Sequence, residues 1–194
     1  MKQYSIVTLN KKNITDFAQA RNKLLNKSKT DWVFFLDSDE VVSDDLKNQI
    51  PKLLQYNSRN CYYVYRKNYF LGEYAGTDKI IRLVRKGSGK WVRAVHEVFT
   101  PNESHLAGVI NTPIVHNTAD NLSEYINRIN VYSSLHAKAN KKEGKRPTLF
   151  KIIIYPIGKL LITFLKSGNI VFSIMQSFHS FLAWSKQRLY EKKI

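Results

Sequence analysis

Hydrophobic positions recur along this chain with two different periods, and the changes of period divide it. Tyr4–Leu9 is a short run rich in β-branched and aromatic residues, the composition of a strand. Phe17, Ala20, Leu24 and Leu25 then recur at helical spacing, and Asn13 or Thr15 is placed to cap that helix. Trp32–Leu36 is an unbroken apolar run, as expected of a strand buried on both faces of a mainly parallel sheet. It stops abruptly at Asp37-Ser38-Asp39-Glu40. Ser43 predicts a second helix start, with Asp44 and Asp45 well placed in its first turn. Pro51 is expected to break or restart that helix before Leu53 and Leu54.

From residue 61 the pattern becomes that of strands: Cys61–Phe70, Lys79–Arg85, Trp91–Phe99 and Leu106–Val115. Gly72, Gly76, Gly87 and Gly89 punctuate the connections. Gly87-Ser88-Gly89-Lys90 lacks the spacing of a phosphate loop and reads as a hairpin turn. Helical spacing returns over Leu122–Lys138, and Lys141–Pro147 is a basic stretch with a helix-stopping proline. Two apolar segments follow, Leu149–Leu165 and Ile170–Trp184. The expected organisation is an α/β domain over 1–136, a basic linker over 137–148 and a helical tail over 149–194.

Neither apolar segment supplies the roughly 20 clean apolar residues of a membrane span. Lys151, Pro156 and Lys159 interrupt the first, Gln176 and His179 the second. Basic ends around aromatic and aliphatic interiors fit helices lying in a membrane interface; packing on the domain's own core is the alternative.

Charge sharpens this picture. The net charge is +16 on 194 residues, and residues 137–194 carry twelve Lys or Arg against two Glu, a net of +10. Such a segment favours polyanions, either an anionic membrane surface or nucleic acid. At 43% hydrophobic and 12% aromatic, the chain is not a disordered one. Its single Cys excludes an internal disulfide framework and a Cys-rich zinc site. The first residues lack the apolar run of a secretory signal, so the expected place is cytoplasmic, peripheral on the inner face of the cell membrane.

The candidate chemistry lies at Asp37-Ser38-Asp39. In an open α/β sheet, ligands sit beyond the carboxyl ends of the strands. Two carboxylates there can hold a hard divalent cation together with substrate phosphates. The bare pattern also describes solvated loop carboxylates. Paired carboxylates after a buried strand argue against nucleic acid as the partner.

Asp16-Phe17-Ala18-Gln19-Ala20-Arg21-Asn22 followed by Asp31-Trp32-Val33-Phe34-Phe35-Leu36-Asp37-Ser38-Asp39-Glu40 resembles the family-2 glycosyltransferases, in particular the lipopolysaccharide-core glucosyltransferase group. Arg66-Lys67-Asn68-Tyr69-Phe70-Leu71-Gly72, Asp78 with Arg82-Leu83, Trp91 leading to Val95-His96-Glu97, and His116 follow in the family's order. The resemblance implies a Rossmann-like mixed sheet of the GT-A type, a nucleotide-sugar donor and Mg²⁺ or Mn²⁺. Asp37 and Asp39 would be the metal- and diphosphate-binding carboxylates. Arg21 would lie near the donor diphosphate, where its planar fork suits phosphate oxygens; a surface ion pair is the alternative.

The family inverts the anomeric centre, which needs a base for the acceptor hydroxyl. Glu97 is the first candidate and Asp78 the second; a strand-edge carboxylate paired with Arg93 or Arg82 is the alternative reading of Glu97. His96 would orient acceptor or phosphate, or serve as a structural histidine. Trp91 would stack on a sugar face, or belong to the core. The family's usual first strand–helix–strand unit, which binds nucleobase and ribose, has no counterpart before Tyr4. The sheet is therefore expected to be N-terminally shortened, with an exposed edge for a homo- or hetero-oligomeric partner to cover. The expected function is transfer of a sugar to a lipid-linked or cell-surface polysaccharide or lipopolysaccharide acceptor. The alternative is a non-catalytic remnant or subunit that binds membrane or a partner transferase chain.

Overall fold

A computed structural model of the chain describes residues 4–10, 14–55, 59–103 and 106–191. They fall into two compact units, Met1–Asn68 with Thr77–His116, and Tyr69–Gly76 with Asn117–Ile194.

In the first unit, β1 (Tyr4–Leu9) and β2 (Trp32–Asp37) run parallel, in register from Tyr4 beside Trp32 to Leu9 beside Asp37. Helix α1 (Phe17–Lys27) connects them. On its other side β2 pairs antiparallel with β5 (Glu73–Arg85), Phe34 lying opposite Leu83. With β3 (Glu40–Val41), β4 (Cys61–Phe70) and β8 (Ala107–Ala119), the described strands form one mixed sheet in the order β1-β2-β5-β4-β8-β3. A Rossmann-like GT-A mixed sheet accounts for this arrangement. A small second sheet pairs β6 (Gly89–Val92) with β7 (Val98–Pro101).

The apolar run of β2 is buried at every position because both faces are covered. Successive side chains point to opposite faces. Trp32, Phe34 and Leu36 pack with Leu46, Ile50 and Leu54 of helix α2 (Asp44–Leu54), while Val33 and Phe35 pack with Ala18 and Leu25 of α1. Each such side chain removed from water contributes about 2 kcal/mol.

Four local expectations are corrected. The cap of α1 is Asp16, whose carboxylate accepts the Gln19 N–H at 2.8 Å, rather than Thr15; Asn13 lies outside the described residues. Pro51 does not break α2, which Ser43 caps as expected and which continues to Leu54. A proline has no N–H for the carbonyl four residues back. Here that carbonyl, on Lys47, accepts the Tyr4 hydroxyl at 3.1 Å instead. Trp91–Phe99 is not one strand. Arg93 and His96 take left-handed backbone angles, φ of 72° and 52°, and the five residues 93–97 turn between β6 and β7. The turn at Gly87, where φ is 80°, joins two different sheets rather than two strands of one hairpin.

The second unit holds α3 (Leu122–Lys142), α4 (Leu149–Ser167) and α5 (Ile170–Glu191). Helix α3 runs past the expected Lys138 to Lys142. Phe70, Ala75, Ala119, Tyr125 and Ile129 form its core, with Phe172, Met175 and Leu182 of α5 packed against them. Gly168, at a φ of 66°, ends α4 in the left-handed conformation that glycine adopts without a Cβ penalty. The chain then turns back. The Tyr155 and Trp184 rings lie 5.6 Å apart and the Ser177 hydroxyl donates to the Pro156 carbonyl at 2.9 Å, so α4 and α5 form an antiparallel hairpin. No helix among the described residues is long and apolar enough to cross a membrane.

Candidate active site

The buried stripe of α1 runs Phe17, Ala18, Arg21, Leu25, so an arginine occupies a core-facing position. Its side chain is 1% exposed, and its guanidinium lies 5.0 Å from the Trp91 ring and 5.5 Å from the Phe35 ring. It reaches two carboxylates. Nη2 donates to Asp37 Oδ1 at 2.5 Å and Nε to Glu97 Oε1 at 2.9 Å. The surface ion pair considered for Arg21 is thereby excluded.

The same helix grips the segment that carries Glu97. The Phe17 N–H donates to the Ala94 carbonyl at 2.8 Å. The Asn22 amide donates to the Trp91 carbonyl and accepts the Trp91 N–H, both at 2.9 Å, imitating a strand neighbour. Phe17, Arg21 and Asn22 thus fix residues 91–97 at three points. That is the physical content of the motif's spacing.

Beyond Asp37 the charges alternate. Arg82, inside β5, donates through Nη2 to Asp37 Oδ2 at 3.0 Å and to Glu40 Oε1. Glu40 also accepts the Asp37 N–H at 2.9 Å and Arg66 Nη1 at 3.1 Å. Arg66 holds Asp78 in a fork, at 3.0 and 2.6 Å. The Asn68 amide donates to Asp78 at 3.2 Å and its oxygen meets His116 Nδ1 at 2.7 Å. His116 Nε2 lies 3.5 Å from Asp39 Oδ2. The sequence from Glu97 to Asp39 is therefore one continuous polar chain within the first unit.

Electrostatics follow from this packing. Burial alone would lower the pKa values of Arg66 and Arg82; Asp78 and Glu40 raise the first, and Glu40 and Asp37 the second. Burial also pushes the Asp78 carboxyl up, but the Arg66 fork, with Asn68 and His116, outweighs it and holds it below the ordinary range. Among the described residues, Arg21 Nη1 and Arg82 Nε are buried donors without an acceptor. Such donors are uncommon in folded proteins.

The structure thus brings Arg21, Asp37, Glu97 and Asp78 into one network and sets Asp39 beside His116. Trp91, 5% exposed, lies beneath Arg21 with its ring against Phe35 and Phe99. His96 is exposed on the 93–97 turn. Glu40, Arg82, Asn68 and His116 join the site without having been singled out for it. Arg82 did leave a signal, a charge inside the apolar run Ile80-Ile81-Arg82-Leu83-Val84. An open groove of about 710 Å³ runs along the polar face of α1, past Thr15, Gln19 and Lys23, away from these carboxylates.

Residues 2–104 match the family model described as Glycosyl transferase family 2. The chain belongs to that family. It is 27% identical over 160 residues to the lipopolysaccharide core biosynthesis glycosyltransferase LpsC of Rhizobium meliloti, an alignment covering 78% of this chain and 59% of that protein. To an uncharacterized glycosyltransferase of Rickettsia typhi it is 25% identical over 181 residues, 81% of this chain and 62% of the relative. The glycosyltransferase SunS of the SPbeta prophage of Bacillus subtilis is 30% identical over 109 residues, 53% of this chain and 25% of the relative. The chain spans about three fifths of the length of the first two.

The residues around β2 fit a divalent cation in this family member. Three guanidinium groups, on Arg21, Arg66 and Arg82, lie among five carboxylates, on Asp37, Asp39, Glu40, Asp78 and Glu97, an acidic excess in one network that is buried at Arg21, Asp37, Glu40 and Arg82 and partly exposed at Asp39, Asp78 and Glu97. Asp37 gives both oxygens to arginines, whereas Asp39 faces the imidazole of His116.

Proposed function

We propose that this chain transfers a sugar from a nucleotide-sugar donor, with inversion, to a lipid-linked or cell-surface glycan acceptor. The observation that carries this reading is the Glu97–Arg21–Asp37–Arg82 chain at the carboxyl end of β2, where ligands of open α/β sheets bind. The name of the Rhizobium relative, a lipopolysaccharide core biosynthesis glycosyltransferase, supports an envelope glycan as acceptor.

Asp39 and His116 would hold the cation, with Asp37 behind them keeping Arg21 and Arg82 in place. A bound Mg²⁺ or Mn²⁺ supplies charge neutralisation for the departing diphosphate. The buried, unfilled donors on Arg21 and Arg82 offer hydrogen bonds to anionic oxygens of the donor after a small side-chain shift. Glu97 is the base that takes the acceptor proton. Its Oε1 is fixed by Arg21, which aims the carboxylate. Asp78 is a poorer base, because the Arg66 fork lowers its proton affinity.

The test is release of nucleoside diphosphate by the full chain from a panel of nucleoside-diphosphate sugars, with Mg²⁺ or Mn²⁺ and an envelope glycolipid fraction as acceptor. Turnover is expected to vanish with a chelator, to return with the cation, and to fall at least about a hundredfold in Asp39→Ala. Metal-independent turnover untouched by Asp39→Ala would overturn the cation's role. A folded chain that turns over no donor would overturn transfer itself and leave the non-catalytic subunit.

A further inference from the structure

The hairpin of α4 and α5 leaves an unusual amount of apolar surface in water. On α4, Phe150, Ile154, Ile157, Leu161 and Leu165 recur at intervals of three and four, and are 62%, 43%, 49%, 56% and 84% exposed. On α5, Val171, Ile174, Phe178 and Phe181 repeat the spacing, each at least 38% exposed. These are continuous helical stripes rather than scattered residues, and soluble proteins seldom leave such stripes bare. Only one narrow stripe of α4 is turned inward, with Pro156 and Thr163 its buried members.

Charge selects the occupant. Lys159 and Lys166, seven residues apart and both exposed, share the side of α4 turned away from this stripe, and no carboxylate among the described residues is within ion-pair distance of either. Apolar surroundings first, and then the like charge of Lys166, hold the Lys159 ammonium below its ordinary pKa. A second copy of the chain would bring a further +10 from residues 137–194 against the first, so self-association by this face is opposed. Helices not apolar enough along their length to span, with a bare apolar stripe on one side and lysines on the other, match a bilayer surface bearing anionic headgroups.

We propose that α4 and α5 dock this protein on an anionic membrane, with the Phe150–Leu165 stripe in the acyl boundary and Lys159 and Lys166 against headgroup phosphates. The inference goes beyond the transferase reading and stands on the second unit alone. A hairpin that lies in the interface needs no spanning helix. It would keep the attached chain at the surface where lipid-linked acceptors reside.

The experiment is co-sedimentation of the full chain with vesicles of phosphatidylcholine alone and with about one third phosphatidylglycerol. The wild type is expected to pellet with the anionic vesicles and to be released by raised salt. Leu161→Asp with Leu165→Asp, both at exposed positions, should weaken binding about tenfold or more without changing the thermal unfolding midpoint. Lys159→Gln with Lys166→Gln should weaken only the anionic preference. Vesicle binding unchanged in the aspartate variant overturns the proposal. So does a chain that ignores both vesicles, one whose apolar stripe is consumed by a stable dimer in sedimentation velocity, or one that binds polyuridylate but no anionic vesicle.

Discussion

Arg21 and Asp37, sixteen residues apart in sequence, meet at 2.5 Å with side chains 1% and 8% exposed. One sits on a helix stripe and the other at the last position of a buried strand, so the pair locks α1 to the carboxyl end of β2. Ion pairs buried this deeply are costly to break, because the remaining partner keeps its charge in a low-dielectric place. Arg21→Met should therefore destabilise the chain by about 3 kcal/mol, read from urea unfolding. Arg21→Lys keeps the charge but lacks the fork that bridges Asp37 and Glu97, so stability should recover in part while transfer does not. Equal recovery of both would show that only the charge matters.

Glu97 and Asp78 belong to one network and should answer differently to loss of charge. Glu97→Gln keeps the shape and removes the proton acceptor, so kcat should fall by about 10² to 10⁴ with KM for the donor little changed. Asp78→Asn loosens the Arg66 fork, and its effect should be seen more in KM and in thermal stability than in kcat. If Asp78→Asn carries the kcat loss and Glu97→Gln does not, the assignment of the base reverses.

Much of the frame was legible because it is written locally. Five apolar residues ending in Asp37-Ser38-Asp39 read as a strand buried on both faces with a polar end, and β2 is that strand. What stayed hidden depends on distance in sequence. Arg21 breaks the apolar period of α1, and the carboxylates that partner it there, Asp37 and Glu97, lie 16 and 76 residues away. The turn at 93–97 carries no glycine at Arg93 or His96 to announce its left-handed backbone. The grip of Phe17 and Asn22 on this segment holds those angles instead.

Tyr125 offers a pH test in the second unit. Burial raises its phenol pKa, and the Gln176 amide that donates to its oxygen at 2.8 Å recovers only part of the shift, leaving it at about 12. A raised acid holds its proton longer in the folded chain than in the unfolded one. Its contribution is therefore fully present below about pH 10 and is lost as pH rises toward 12, on the order of 2 kcal/mol in all. The unfolding midpoint should drop through that window more steeply in the wild type than in Tyr125→Phe. Identical pH profiles for the two chains would refute the shift.

The Tyr4 hydroxyl and the Lys47 carbonyl give the sharpest test of how tertiary structure overrules a local rule. The bond exists because Pro51 leaves that carbonyl without its helical donor. Tyr4→Phe should then cost about 1 kcal/mol in the wild-type background, the net worth of one such hydrogen bond. Pro51→Ala restores an N–H one turn on, and the carbonyl gains a second suitor. In that background Tyr4→Phe should cost clearly less, so a double-mutant cycle on urea midpoints should show coupling of at least about 0.5 kcal/mol. Strict additivity would mean that α2 tolerates its proline without help from β1.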